Sequence, residues 1–180
     1  MKAKENLLLF LLIFISAFIY FSGIIKNLPY LPEVDEKLFW VDPAVTMADT
    51  LSLNPGFFGH PGSTIYYPMA AMYRLLYGDQ AFEEFEQHPA HFYMIGRVIT
   101  ALYGLMSIPV VYLVGRRLFG KVVGLLGAGL VLFNGMIVYY AQIIRTDTSA
   151  LFFGTLSILC LLRLYEKPDY RNQIQAGIAI

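Results

Sequence analysis

NLLLFLLIFISAFIYFSGII, residues 6–25, carries no charged side chain over its whole length. At about 1.5 Å of rise per residue, a helix of that length matches a hydrocarbon core about 30 Å thick. Lys2 and Lys4 in front of it also suit a secretory signal. The apolar run, however, exceeds the roughly 7–15 residues of a signal core and no small-x-small cleavage site follows, so it reads as an uncleaved anchor.

Working outward, three more charge-poor runs follow, Val98–Gly115, Val122–Ile144 and Thr148–Leu162, and another starts at Asn172 and reaches Ile180. The expected spans are about 6–25, 94–115, 122–141 and 148–164, with the start of a fifth at about 172 and an outer loop at about 26–93. Composition agrees: of 180 residues 57% are hydrophobic and only 14% charged, against about 25% charged in soluble domains. Thirteen bases against thirteen acids leave no surplus for nucleic acid. The lone Cys160 excludes an intrachain disulfide framework and a multi-cysteine metal site. The expected fold is all-α: a polytopic transmembrane helical bundle whose extracytoplasmic loop carries interfacial helices. An apolar run that breaks off at Ile180 reads as the N-terminal piece of something longer.

Lys2 and Lys4, then Arg116, Arg117 and Lys121, then Arg163, Lys167 and Arg171 all fall on one side if each run crosses once. By the positive-inside rule that side is cytoplasmic. The stretch from Lys26 to Arg97 and the turn at Arg145–Asp147 then lie outside, and nine acids stand against four bases in the first of these.

The outer loop is far longer than the usual connection of about 4–6 residues. It holds Phe39, Trp40, Phe57, Phe58, Tyr66, Tyr67, Tyr73 and Tyr77, too many large apolar groups for a solvated coil. These rings read chiefly as a belt at the headgroups, with sugar platforms as the alternative. Within it Ser63–Tyr77 predicts an interfacial helix with Ser63 as N-cap, Gly78 just past the end, a kink at Pro68 and Ile65, Met69, Met72, Leu75 and Leu76 at helical spacing. A short helix at about Gln80–Gln87 carries Glu83, Glu84 and Glu86 on a solvated face. Asp35 and Glu36 follow Pro29 and Pro32, which places the acidic pair on irregular backbone near the membrane surface. Two adjacent carboxylates are by themselves a weak signal. Arg145 and Asp147 stand at the outer edge of the apolar layer, where ionisable groups face a partner or a water-filled cavity, or simply snorkel. Arg97 presents the same choice.

The order of these features resembles the N-terminal part of the C-type integral-membrane glycosyltransferases that use polyprenyl-phosphate sugars, in particular the dolichyl-phosphate-mannose protein mannosyltransferases and the bacterial aminoarabinose lipid A transferases. The acidic pair is Asp35-Glu36; a His-Pro motif is His60-Pro61-Gly62; a Leu-Phe-Gly-like signature is Leu76-Tyr77-Gly78; an Arg entering a small-residue span is Gly96-Arg97; an inner turn is Arg116-Arg117-Leu118-Phe119-Gly120; an outer turn is Tyr140 to Asp147. Gly62 departs from a second proline and Tyr77 from a phenylalanine, and members of the family are several times longer.

The resemblance implies a multi-pass protein of the cell (inner) membrane that moves a sugar from a polyprenyl-phosphate donor to a lipid, glycan or protein acceptor outside the cytoplasm, with inversion. Such a site needs a carboxylate to take the acceptor's proton, for which Asp35 is the candidate, and cations for the leaving phosphate, for which Arg97 and Arg145 are the candidates. Glu36 joins Asp35 in the catalytic set, either as a partner that orients an arginine or as a binder of sugar hydroxyls. Asp147 has the same two roles open to it, and His60 either donates to substrate or caps a turn. A divalent cation is an open question: Asp35, Glu36, His60, His88 and His91 could supply ligands, but Pro89 interrupts the histidine pair and no third ligand is fixed. The competing readings are a piece of a transporter or lipid flippase, which would carry inverted repeats that the chain lacks, and a truncated piece with no activity of its own.

Overall fold

The longest helix, α5 (Pro89–Phe119), is the axis on which the other elements are arranged. A computed structural model describes residues 2–28, 34–56, 58 and 62–179, with side chains from residue 6 onward. Pro89 sits in the first turn of α5, where its missing N–H is an orphan in any case, and Gly120 ends the helix with φ of 90°. Against α5 pack α1 (Lys2–Ser22), α6 (Lys121–Phe133), α7 (Gly135–Ala141) and α8 (Asp147–Glu166), and α9 (Tyr170–Ala179) returns along α8. Every regular element among the described residues is helical, as the sequence led us to expect.

Alpha5 and α8 are long and apolar enough to cross a membrane. Their seams use small residues, which let backbones approach where lipid offers no hydrophobic gain for association. At the α5–α6 crossing a Cβ on Gly124 would sit 2.6 Å from the Tyr112 carbonyl oxygen, and one on Gly115 would sit 2.9 Å from the Gly124 Cα. The outward faces are apolar: Leu7, Phe10, Phe14 and Phe18 on α1 and Val122, Leu126, Leu130 and Phe133 on α6 stand exposed at helical spacing, the surface a lipid solvent favours.

Two spans differ from expectation. The run 122–141 is not one helix: α6 and α7 meet at a bend of 61°. Asn134 adopts an extended ψ of 112°, and its side chain accepts from the N–H groups of Met136 and Ile137, so it caps α7 rather than continuing α6. The first helix ends at Ser22, short of residue 25, and passes into a turn in which Asn27 takes a φ of 63°.

The segment expected as an outer loop is a folded cap. A π-helical stretch, Glu36–Val41, runs directly into α2 (Asp42–Thr50), with Pro43 in the first turn of the latter. Asp35 has helical dihedrals and opens this unit, so the acidic pair lies on helix and not on irregular backbone. Then come α3 (Ser63–Tyr77) and α4 (Ala81–Gln87). The α3 boundaries are those read from the sequence, except that Gly62 is the N-cap and Ser63 the first helical residue. Pro68 leaves α3 a single element; the Thr64 carbonyl that an N–H at 68 would have met accepts instead from the Tyr103 hydroxyl at 3.0 Å.

Trp40, Tyr66, Tyr73, Phe85 and Phe92 form the core of the cap. The belt or sugar-platform reading therefore does not hold for Trp40, Tyr66 and Tyr73, which are buried. Phe92 meets Tyr73, Tyr77 and Phe85 at centroid distances of 4.6–5.3 Å. The Tyr73 hydroxyl donates to the Phe92 carbonyl at 2.8 Å, and burial holds that phenol protonated, its pKa well above the ordinary value. A Cβ at Gly62 would lie 2.2 Å from Trp40 Cζ3, which gives a steric reason for glycine where the resembled family has a second proline. Of the face expected from spacing, Ile65 and Met69 are buried, whereas Leu75 and Leu76 point outward.

Gly124→Ala is expected to lower stability by about 1–3 kcal/mol, the cost of overpacking a tight backbone crossing. Gly129→Ala, with nothing near its would-be Cβ, should not. Thermal unfolding of the detergent-solubilised protein compares the two.

Candidate active site

Arg97 lies two turns into α5, 2% exposed, and a guanidinium at that depth must be partnered. Its Nε and Nη2 donate to the two oxygens of Glu36 at 2.8 and 2.6 Å, a bidentate pair, and Nη1 donates to the carbonyls of Ile24 and Lys26 at 2.9 and 2.8 Å. Glu36, 0% exposed, also accepts from the Ile144 N–H at 2.8 Å. One buried ion pair thereby joins the turn after α1, the cap, α5 and the turn between α7 and α8.

The last of these contacts needs a close approach. A Cβ on Gly96 would stand 2.5 Å from Ile144 Cδ1, so the absence of a side chain beside Arg97 lets that turn settle against α5. The start of α8 is pinned by the Thr148 hydroxyl, which donates to the Thr100 carbonyl at 3.0 Å, and by a 2.9 Å hydrogen bond between the hydroxyls of Thr64 and Ser149.

On this frame stands a second, solvent-accessible cluster. Arg145, 39% exposed, donates from Nη1 to Asp35 at 3.1 Å and from Nε to Asp147 at 3.3 Å. Its guanidinium lies 5.3 Å from the centre of the Tyr140 ring, a cation–π distance. Asp147 and Tyr140 line a cavity of about 270 Å³ between α7 and α8, together with Asn134, Met136, Ile137 and Leu151. Asn134, at the break between α6 and α7, lies in its wall. Two carboxylates and one cation beside a largely apolar hollow can take a proton, bind an anion and shelter a lipid-borne group.

The candidates from sequence thus divide. Asp35, Arg145 and Asp147 are brought together and are accessible. Glu36 and Arg97 are neighbours of that cluster but face each other, which puts Glu36 in the arginine-orienting role and commits four N–H groups of Arg97 within the protein. Arg97 also borders a smaller cleft of about 160 Å³. His60 lies outside the described residues. His88 and His91 are exposed at the entry to α5 with ring centroids 5.8 Å apart, and among the described residues no three His, Cys, Asp or Glu side chains cluster as metal ligands. The Ile144 N–H and the carbonyls of Ile24 and Lys26 carry no side-chain signature, so residue types alone could not reveal them.

A family model described as dolichyl-phosphate-mannose-protein mannosyltransferase matches residues 69–180, which include Arg97, Tyr140, Arg145 and Asp147. The chain belongs to the dolichyl-phosphate-mannose-protein mannosyltransferase family. It is a membrane glycosyltransferase of the mannosyltransferase type. No curated protein and no solved structure matches the chain. In this mannosyltransferase the match begins at Met69, so the acidic pair precedes the matched part, and it is the hydrogen bonds from Arg97 and Arg145 that tie Asp35 and Glu36 to it.

Glu36→Ala is expected to destabilise the protein by about 3–5 kcal/mol, because it strands a buried guanidinium. Asp35→Ala, at an exposed pair, should cost less than about 1 kcal/mol. Thermal unfolding in detergent separates the two adjacent acids.

Proposed function

We propose that the chain carries the catalytic end of a glycosyltransferase that moves a sugar from a polyprenyl-phosphate-linked donor to an acceptor on the extracytoplasmic side, with inversion. Asp35 is the base, Arg145 holds the donor phosphate and Asp147 orients Arg145. The observation that carries this reading is one accessible guanidinium, that of Arg145, shared by two accessible carboxylates.

The chemistry follows from charge. As the sugar leaves, negative charge grows on the lipid phosphate, and a guanidinium already fixed by Asp147 and Tyr140 meets it without reorganisation. Asp35, held beside Arg145, stands where a carboxylate can take the proton that the acceptor's nucleophile must give up. The new glycosidic bond forms on the face opposite the breaking C–O bond; the proton passes to Asp35 and the electron pair of that bond to the phosphate oxygen. Glu36 and Arg97 set the positions of Asp35 and of the turn bearing Arg145.

Sidedness rests on which groups share an end of the bundle. Arg117 at the end of α5 pairs with Glu166 at the end of α8, so the loops rich in Lys and Arg lie together. The Ile24 carbonyl meets Arg97, which sets the start of α1 a helix length from the site, on the basic end. The basic end is cytoplasmic by the positive-inside rule, and the Asp35–Arg145 cluster faces out of the cytoplasm, in the cell (inner) membrane. The acceptor is a protein by the family's description, with lipid or glycan acceptors as the alternatives.

Asp35→Asn in the full-length protein should lower transfer from polyprenyl-phosphate mannose by about 10²–10⁴-fold, the range for a lost general base, with little change in thermal stability. Undiminished turnover would remove Asp35 from the role. Arg145→Gln should lower turnover by about 10²–10³-fold, in line with loss of a transition-state charge partner. Labelled product, with its anomeric configuration determined, reads both effects and tests inversion.

A further inference from the structure

A polar cavity of about 360 Å³ lies at the other end of the bundle, where α5 and α8 finish and α9 begins. Arg117, Arg163, Lys167 and Arg171 line it against only Glu166 and Asp169. Arg117 takes Glu166 as its ion-pair partner, and Lys167 takes Asp169 at 3.4 Å. With both acids matched, Arg163 and Arg171 supply the excess positive charge of the cavity.

The walls are held in place. The Asn172 side chain donates to the Lys167 carbonyl at 2.8 Å, and the Asn172 N–H donates to Asp169 at 2.8 Å. That hydrogen bond, outweighing what little desolvation there is, keeps the Asp169 carboxyl below the usual carboxylate range. A contact of the Ser157 hydroxyl with the Ala179 carbonyl fixes the far end of α9 on α8. The turn therefore presents its bases from a set backbone rather than from a loose loop.

The surroundings show what kind of anion fits. At the same end of the bundle Phe119 is 71%, Tyr165 90% and Tyr170 78% exposed, uncovered rings of the kind that sits at headgroup level. A soluble anion would use the bases and nothing else. At headgroup level the anion present at the highest local concentration is that of a phospholipid, which a basic pocket between helices on this side of a bundle fits. Residues 97 and 117 of α5 are separated by about 30 Å of helix, so this place is distinct from the Asp35–Arg145 cluster.

We infer that this cavity binds the headgroup of an anionic phospholipid of the basic-side leaflet. The site stands on the membrane placement of the bundle and is independent of the sugar-transfer reading. The full chain is to be placed in bilayer discs of phosphatidylcholine with a minority of phosphatidylglycerol, extracted gently, and its retained lipid counted by native mass spectrometry. Wild type should retain phosphatidylglycerol in preference to phosphatidylcholine. The double substitution Arg163→Gln/Arg171→Gln should lower that preference roughly tenfold, from the loss of two bases near the surface. Arg163→Lys/Arg171→Lys, which keeps the charge, should retain most of it, and Lys37→Gln/Arg74→Gln, which removes two bases from the cap, should leave it unchanged. Equal retention of the two lipids, no effect of the double Gln variant, or an equal loss in the cap variant would overturn the proposal. So would displacement of the lipid by glycerol 3-phosphate at millimolar concentration, which would make the cavity a site for a soluble phosphate ester.

Discussion

The Glu36–Arg97 pair is the constraint on which the rest of the cap end of the bundle depends. Two charges withdrawn from water at 0% and 2% exposure are tolerable only with good geometry and full hydrogen bonding. Here the carboxylate accepts from Arg97 twice and from the Ile144 N–H, and the guanidinium also meets two backbone carbonyls. These partners come from four separate stretches of chain. Satisfying the pair therefore sets where those stretches lie, and Asp35 and Arg145, each next in sequence to one of its ligands, inherit their positions.

Apolar content and the spacing of charge were enough to read the helical class, the cap as a structured segment and the bounds of α3, where Gly62 and Gly78 punctuate both ends. The break at Asn134 was not legible, because one polar residue in an apolar run is equally a tolerated guest or a cap, and only an extended backbone decides. The helix after Asp35 was hidden behind Pro29 and Pro32, although Pro43, a residue suited to the first turn of a helix, was its signal.

The candidate site was legible as a set of residues but not as an arrangement. Glu36 and Asp35 are adjacent and chemically alike, and successive residues on a helix point in different directions. One is sealed against Arg97 while the other reaches Arg145 at the surface. Arg97 and Arg145 were alike as candidates, and burial separates them. Trp40, Tyr66 and Tyr73 were read by type as interfacial, but the packing of α2, α3 and α4 with the start of α5 makes them a core.

Glu36 meets Arg97 across 61 positions of sequence and Ile144 across 108. During synthesis at a membrane, an acid that emerges early must wait for a base carried in by the next long helix, and then for an amide delivered by the turn after a further, broken one. The cap end is therefore assembled late and all at once. Biogenesis itself couples maturation of the cap to completion of the first three apolar segments.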